Sequence, residues 1–129
     1  MAEKEEDIKT LPHNLEAEQA LLGAIMLDNQ VLVKVGDKFA PEHFYDPVHG
    51  KIFETIRNLN SKGHIADGVT LHARFSQDGT LSEIGGATYL ALLVNAAADP
   101  AAAQDYAKLI FDLALRRDLI RIGAEIGYE

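Results

Sequence analysis

The sequence of 129 residues contains no cysteine. This absence excludes disulfide bonds, thiolate metal sites and thiol nucleophiles, and it suits a reducing compartment. Basic residues are also scarce, since 12 lysines and arginines stand against 20 aspartates and glutamates and leave a formal net charge of −8. Because such a chain as a whole repels a phosphate backbone, we expect it not to bind nucleic acid on its own.

Long apolar runs are missing as well, and the first ten residues, MAEKEEDIKT, are charged throughout. This N-terminus lacks the apolar segment of a signal peptide, and no stretch is long enough to span a membrane. We therefore expect a cytoplasmic protein without a membrane anchor, with a disordered acidic tail over residues 1–11. The remaining length suffices for one domain with a single core, which needs no cofactor for its stability.

The signatures of common catalytic sites are absent. No G-x-x-x-x-G-K-[ST] phosphate loop occurs, so we expect no ATP site in this chain. None of the five histidines lies in an H-x-x-x-H pair, and no serine lies in G-x-S-x-G. The sequence therefore predicts no catalytic, cofactor-binding or metal-binding residue. Arg116, Arg117 and Arg121 form the only basic cluster, which we interpret as charge flanking an apolar helix rather than as a phosphate contact.

The stretch from residue 12 to residue 29 predicts the central helix of the fold, because apolar residues cover a broad arc of it. Only Glu16, Gln19 and Gly23 define a solvent side, and the alanines in the arc allow a neighbouring backbone to approach closely. The arc consists of Leu15, Leu21, Leu22, Ile25 and Met26, extended by Ala17, Ala20, Ala24 and Leu27.

Glu18 is the polar exception within this arc. Either His13 or Asn14 can cap the helix, and the helix dipole favours negative charge at Glu16 and Glu18 in the first turn. We expect the Glu18 carboxylate to reach the helix start or the edge of the core. A catalytic role is the weaker alternative, since paired-carboxylate chemistry needs burial that the sequence does not indicate.

Helix start signals recur along the rest of the chain. An aspartate followed by proline is a strong start, because the side chain caps the helix and the missing N–H of proline costs nothing at the first position. Such pairs stand at Asp46-Pro47 and Asp99-Pro100, and Thr70 can cap a shorter helix between them. No segment shows the alternation of a strand pair, so the sequence predicts an all-α fold, a compact bundle of about five to six helices followed by a long arm.

The last predicted helix has two apolar faces. When the side chains are placed at 100° per residue, the apolar residues form two sets, and each set lies within about 40° of one of two opposite directions. A terminal helix packed on a compact body needs only one apolar face, so the outer set is the candidate surface for self-association or for a partner. The inner set is Tyr106, Ile110, Leu113, Ile120 and Ala124, and the outer set is Phe111, Leu115, Leu119, Ile122 and Ile126.

A specific block opens the central helix, where NLEAEQ at residues 14–19 runs into LLGA and closes on LDN at residues 27–29. Later pieces follow in a set order: FY at 44–45 before a proline and His49, IF at 52–53, TL at 70–71, GG at 85–86 with YL at 89–90, and YA at 106–107. Over residues 11–126 this order resembles the N-terminal domain of bacterial replicative DNA helicases of the DnaB type.

The resemblance implies an all-helical head over residues 12–98, followed by the first arm of a helical hairpin over residues 99–129. It also implies that such domains pair and assemble into a collar on a hexameric ring, where the C-terminal domain of primase docks. ATP and Mg²⁺ would bind in a motor domain outside this sequence, through which the full-length protein unwinds DNA. The alternative is a free-standing helical adaptor that dimerises through its last helix.

Overall fold

The computed structural model describes residues 11–125. The helices are α1 (Leu15–Leu27), α2 (Val31–Val35), α3 (Pro47–Ser61), α4 (Gly68–Asp78), α5 (Gly86–Asn95) and α6 (Pro100–Glu125), with a 3-10 turn over Pro41–His43. No strand occurs among the described residues, which confirms the all-α prediction. None of these helices combines the length and apolar character needed to cross a membrane. Residues 1–10 of the predicted tail, and Ile126, lie outside the described residues.

Helix α1 lies at the centre of the fold, as its apolar arc predicts. Helices α2, α3, α5 and α6 all pack against it. Its start is capped by Asn14, whose side-chain oxygen accepts a hydrogen bond from the Ala17 N–H at 3.0 Å. The apolar residues that α1 buries in the core are Ala17, Leu21, Leu22, Ala24, Ile25 and Met26.

The predicted solvent side of α1 is wrong at Gly23. This glycine is buried against α5, and a Cβ at its position would lie 2.0 Å from the Leu93 carbonyl oxygen. The missing side chain lets the two helix backbones approach closely, and residue 98 after α5 donates its backbone N–H to the carbonyl of residue 20 at 3.0 Å. Leu15 and Leu27, placed in the apolar arc, are exposed because they lie at the two ends of the helix, beyond its neighbours.

The caps confirm two predicted helix starts and correct a third. Asp46 and Asp99 each accept a hydrogen bond from the N–H two residues further on, at 2.9 and 3.0 Å. Helix α4 is capped by Asp67 instead of Thr70. The Asp67 carboxylate accepts from the Thr70 N–H, and the Thr70 hydroxyl oxygen accepts from the Asp67 N–H, both at 2.9 Å. Thr70 is therefore the reciprocal half of a capping box inside the helix.

The last helix leaves the head before it ends. Helix α6 spans 26 residues, which corresponds to about 39 Å at 1.5 Å per residue. Beyond Arg117, residues 118–122 are all exposed. Ile120, predicted to face the core, is therefore 48% exposed, because no part of the head extends that far. The residues that α6 buries follow spacings of four and three: Ala103, Ala107, Ile110, Ala114 and Arg117.

Candidate functional site

The far side of α6 presents an apolar line of side chains to solvent. Leu115, Leu119 and Ile122 follow one another at spacings of four and three residues, and their exposed fractions are 48%, 68% and 52%. This spacing places them in one row along the helix. Single exposed leucines are common on protein surfaces, but a row at heptad spacing is the surface on which another helix packs. We call Leu115, Leu119 and Ile122 the α6 seam.

Phe111, predicted to belong to the same outer face, packs against the head instead. Its ring meets the His43 ring edge-on, with the centroids 4.8 Å apart, and it contacts the buried core. The reason is that the 3-10 turn lies beside α6 at this level, which the helical periodicity alone does not reveal. Association through the α6 seam stays a prediction, as does any contribution of Ile126.

Arg117 is buried, which corrects its interpretation as flanking charge, whereas Arg116 and Arg121 are exposed. Its Nη1 donates to the Pro12 carbonyl oxygen at 2.8 Å, and its Nη2 donates to the His43 carbonyl oxygen at 2.9 Å. Burial lowers the pKa of Arg117, although the nearby Glu18 carboxylate acts in the opposite direction. Arg117 thus ties α6 to two other segments at the point where the helix leaves the head.

Aromatic rings close the corner beside Arg117. The Arg117 guanidinium lies over the Tyr45 ring, 5.4 Å from the ring centroid. The Tyr45 ring also stacks on the His13 ring, with the centroids 3.9 Å apart and the planes 9° apart. Burial lowers the pKa of His43, whose Nδ1 accepts the Ala40 N–H at 2.8 Å. The neutral form of His43 fits this hydrogen bond, because a protonated Nδ1 cannot accept.

A chain of polar side chains, here called the Glu18 network, links α1, α3 and α5. Glu18 and His49 are 1% and 0% exposed, and the Glu18 Oε1 lies 2.7 Å from the His49 Nδ1. On the other side of the ring, the His49 Nε2 lies 2.5 Å from the Tyr89 hydroxyl, which accepts a hydrogen bond from the Gln19 Nε2 at 3.2 Å. Burial raises the pKa of Tyr89, although the Gln19 hydrogen bond acts in the opposite direction.

Glu18 also holds the start of α3. The Tyr45 N–H donates to its Oε2 at 2.7 Å, and the Asp46 N–H donates to its Oε1 at 3.3 Å. The carboxylate therefore lies inside the core and supports the start of a different helix, which corrects the expectation that it reaches its own helix start or the core edge. A glutamate within an apolar arc, together with a histidine three residues before the buried Ile52, was the sequence signal for this network.

The order of groups in the Glu18 network is carboxylate, imidazole and hydroxyl, as in a hydrolase triad. Because a carboxylate only accepts, Nδ1 of His49 donates to Glu18, which leaves Nε2 facing the Tyr89 hydroxyl. Glu18 and His49 are closed off from solvent, so the arrangement stabilises the fold rather than meeting a substrate. Among residues 11–125, no three histidine or acidic side chains converge as a metal centre requires.

Comparison with known proteins agrees with this architecture. Residues 10–112 match the family model of the DnaB-like helicase N-terminal domain. The replicative DNA helicase DnaB of Rickettsia felis is 43% identical over 128 residues, which cover 97% of this chain and 26% of that protein. The DnaB of Geobacillus stearothermophilus is 36% identical over 118 residues, 92% of this chain and 26% of that protein. The chain thus spans about a quarter of the length of these relatives.

A solved structure is similar over nearly the whole described fold. The crystal structure of the N-terminal domain of DnaB helicase from Mycobacterium tuberculosis matches with a TM-score of 0.86 at 34% sequence identity. The match covers 90% of this chain and 84% of that one. On the family match, the relatives and the shared helical architecture, the chain belongs to the DnaB-like helicase N-terminal domain family.

Proposed function

We propose that this chain is the assembly and primase-docking domain of a hexameric replicative DNA helicase that acts at the replication fork in the cytoplasm. The observation that carries the proposal is the α6 seam, an apolar row on a helix that projects beyond the head. ATP and Mg²⁺ act in a motor region outside these 129 residues, which contain no phosphate loop. The names of the relatives, replicative DNA helicase DnaB, support the assignment to a replicative helicase.

The charges beside the seam are compatible with self-association. The whole chain carries a formal charge of −8, which would push copies apart. Between residues 112 and 122, however, the exposed charged residues are Asp112, Arg116, Asp118 and Arg121, two of each sign. Two seams can therefore meet without bringing a net charge into the contact, and any residual repulsion comes from more distant parts of the head.

The size of the seam indicates weak pairing of isolated copies. Full burial of a leucine or isoleucine gains roughly 1.5–3 kcal/mol, so six side chains that are about half exposed, three from each copy, gain roughly 5–9 kcal/mol. Association itself costs an estimated 4–15 kcal/mol. The gain and the cost therefore overlap, so the seam alone supports only weak pairing. A second hairpin arm would add contacts within one subunit, and a ring would add several simultaneous contacts.

We predict that the chain forms a dimer at micromolar to millimolar concentration and that Leu115→Asp with Leu119→Asp makes it monomeric. A buried aspartate on each copy would lose its hydration and repel its counterpart across a two-fold axis. Light scattering over a concentration series measures the change. Leu92→Asp is the matched control, since Leu92 is a comparably exposed leucine on α5. A strict monomer up to millimolar concentration, or a dimer that the double variant leaves intact, would contradict the prediction.

Primase docking is tested by titrating the chain with the C-terminal domain of the cognate primase. We predict that Leu119→Asp with Ile122→Asp weakens this binding by about tenfold or more, equivalent to about 1.4 kcal/mol. Circular dichroism must show that the variant keeps its helical content, so that lost binding is not lost folding. An unchanged affinity in a folded variant would place the primase contact away from the seam.

A further inference from the structure

We infer that Arg117 is a positioning residue that fixes the direction in which α6 leaves the head, and with it the direction of the α6 seam. Up to residue 124, Arg117 is the last buried residue of the helix, and residues 118–122 beyond it are all exposed. The consequence for assembly rests on the function proposed above, whereas the geometric role of Arg117 does not. The two can therefore be tested separately.

The guanidinium connects three parts of the chain that are far apart in sequence. Its two nitrogens donate to the Pro12 carbonyl, 105 residues away, and to the His43 carbonyl, 74 residues away. The guanidinium is planar and its N–H groups point in set directions, so two such bonds define the orientation of the side chain as well as its position. Lysine keeps the charge but lacks this planar pair of donors.

Ring contacts reinforce the same orientation. The guanidinium lies over the Tyr45 ring at 5.4 Å, and His13 stacks on that ring at 3.9 Å. The segment before α1 is therefore tied to α6 twice, through the Pro12 carbonyl and through the ring pair of His13 and Tyr45. A side chain that only filled space at this position would need neither contact.

The buried charge of Arg117 favours a role in orienting α6 over a role in stabilising the fold. Arg117 is 3% exposed, and it forms none of the ion pairs found within residues 11–125. Burying a cation costs desolvation energy, which none of these ion pairs offsets for Arg117. Pro12 and His43 are only half-buried, so their carbonyls can turn to water in a variant without the guanidinium.

A small rotation at Arg117 has a large effect on the seam. Ile122, the last residue of the seam, lies five residues further on, about 7.5 Å along the axis at 1.5 Å per residue, so a tilt of about 10° displaces it by about 1.3 Å. Side chains that interlock with a partner helix tolerate little displacement of this size. A fixed exit angle is therefore needed for the same seam to fit the same partner in every copy.

The absence of native cysteine allows a direct measurement of this angle. Two spin labels are attached at Ser76→Cys on α4 and Ala124→Cys near the end of α6, both exposed positions. Their distance distribution is measured by electron spin resonance in dilute, monomeric protein. We expect a narrow distribution with Arg117 present and a broadened or shifted one in Arg117→Met, while the melting temperature stays nearly unchanged. Arg116→Met, the adjacent exposed arginine, is the control and should leave the distribution narrow.

Arg117→Lys covers the case in which the methionine variant does not fold. Because lysine keeps the charge and most of the length, a broadened distribution in Arg117→Lys would show that the planar pair of hydrogen bonds fixes the angle. A distribution as narrow as that of the chain with Arg117 would overturn the inference, whether it is found in a folded Arg117→Met variant or, where that variant does not fold, in Arg117→Lys. Broadening with unchanged self-association in concentrated samples would support the positioning role and count against the proposed use of the seam.

Discussion

Replacement of Glu18 by alanine is expected to destabilise the domain by about 3–5 kcal/mol, because several hydrogen-bond donors in and beside the core lose their acceptor. The variant loses the acceptor for the N–H groups of Tyr45 and Asp46 and for the His49 ring. Each unpaired buried donor costs about 1–3 kcal/mol. Since whole domains are stable by only about 5–15 kcal/mol, urea unfolding followed by circular dichroism should show a large decrease in the midpoint.

Glu16 supplies the matched control for this experiment. It stands in the same first turn of α1 but is exposed, so Glu16→Ala should cost only about 0.3–1 kcal/mol through the helix dipole. The double variant Glu18→Ala with His49→Ala should cost less than the sum of the two single variants, because both remove the same interaction. A loss below about 1 kcal/mol for Glu18→Ala would show that water or relaxed backbone replaces the carboxylate.

Gly23→Ala is expected to destabilise the domain by about 3 kcal/mol, the upper part of the usual range for overpacked cores. The added Cβ would lie 2.0 Å from the Leu93 carbonyl oxygen and 2.8 Å from the Ala97 Cα, both backbone atoms that cannot rotate away. Helices α1 and α5 must therefore move apart, although alanine itself favours a helix interior over glycine by about 0.5–1 kcal/mol. Chemical denaturation of the purified variant measures the net effect.

Gly68→Ala is the control for the glycine experiment. Gly68 is also helical, but the nearest atom to an added Cβ is the Met26 Cε at 4.0 Å, an ordinary contact. This substitution should be neutral or slightly stabilising, because it reduces the freedom of the unfolded chain without a clash. If Gly23→Ala were equally harmless, the close approach of α1 and α5 would not exist in solution.

Local signals in the sequence were enough to predict the helices. Asn14, Asp46 and Asp99 act on N–H groups two or three residues away, so their capping roles can be inferred without knowing the fold. The α6 seam contains three of the five residues of the predicted outer set, because helical periodicity alone places Leu115, Leu119 and Ile122 in one row. Self-association and primase binding also depend on the surface of the second chain, so both stay predictions.

Contacts between distant segments were not predictable from the same signals. Gly23 has no side chain, so nothing in its own turn shows that the α5 backbone, 70 residues later, passes against it. Arg117 was misjudged for a similar reason, since its partners are backbone carbonyls, which every residue carries. For Glu18, helical periodicity placed the residue on the buried arc, but the N–H groups that donate to its carboxylate lie in a loop whose path the sequence does not reveal.

The central place of α1 also bears on how the domain is made. The ribosome completes α1 early, yet the helices that cover much of its apolar arc, α5 and α6, follow only after residue 85. The buried contacts of α6 reach residue 117. At a synthesis rate of about 5–20 residues per second, the apolar arc of α1 therefore stays partly uncovered for on the order of 10 s. During that interval the first helix presents leucine and isoleucine side chains to solvent, where they can form non-native apolar contacts before the fold is complete.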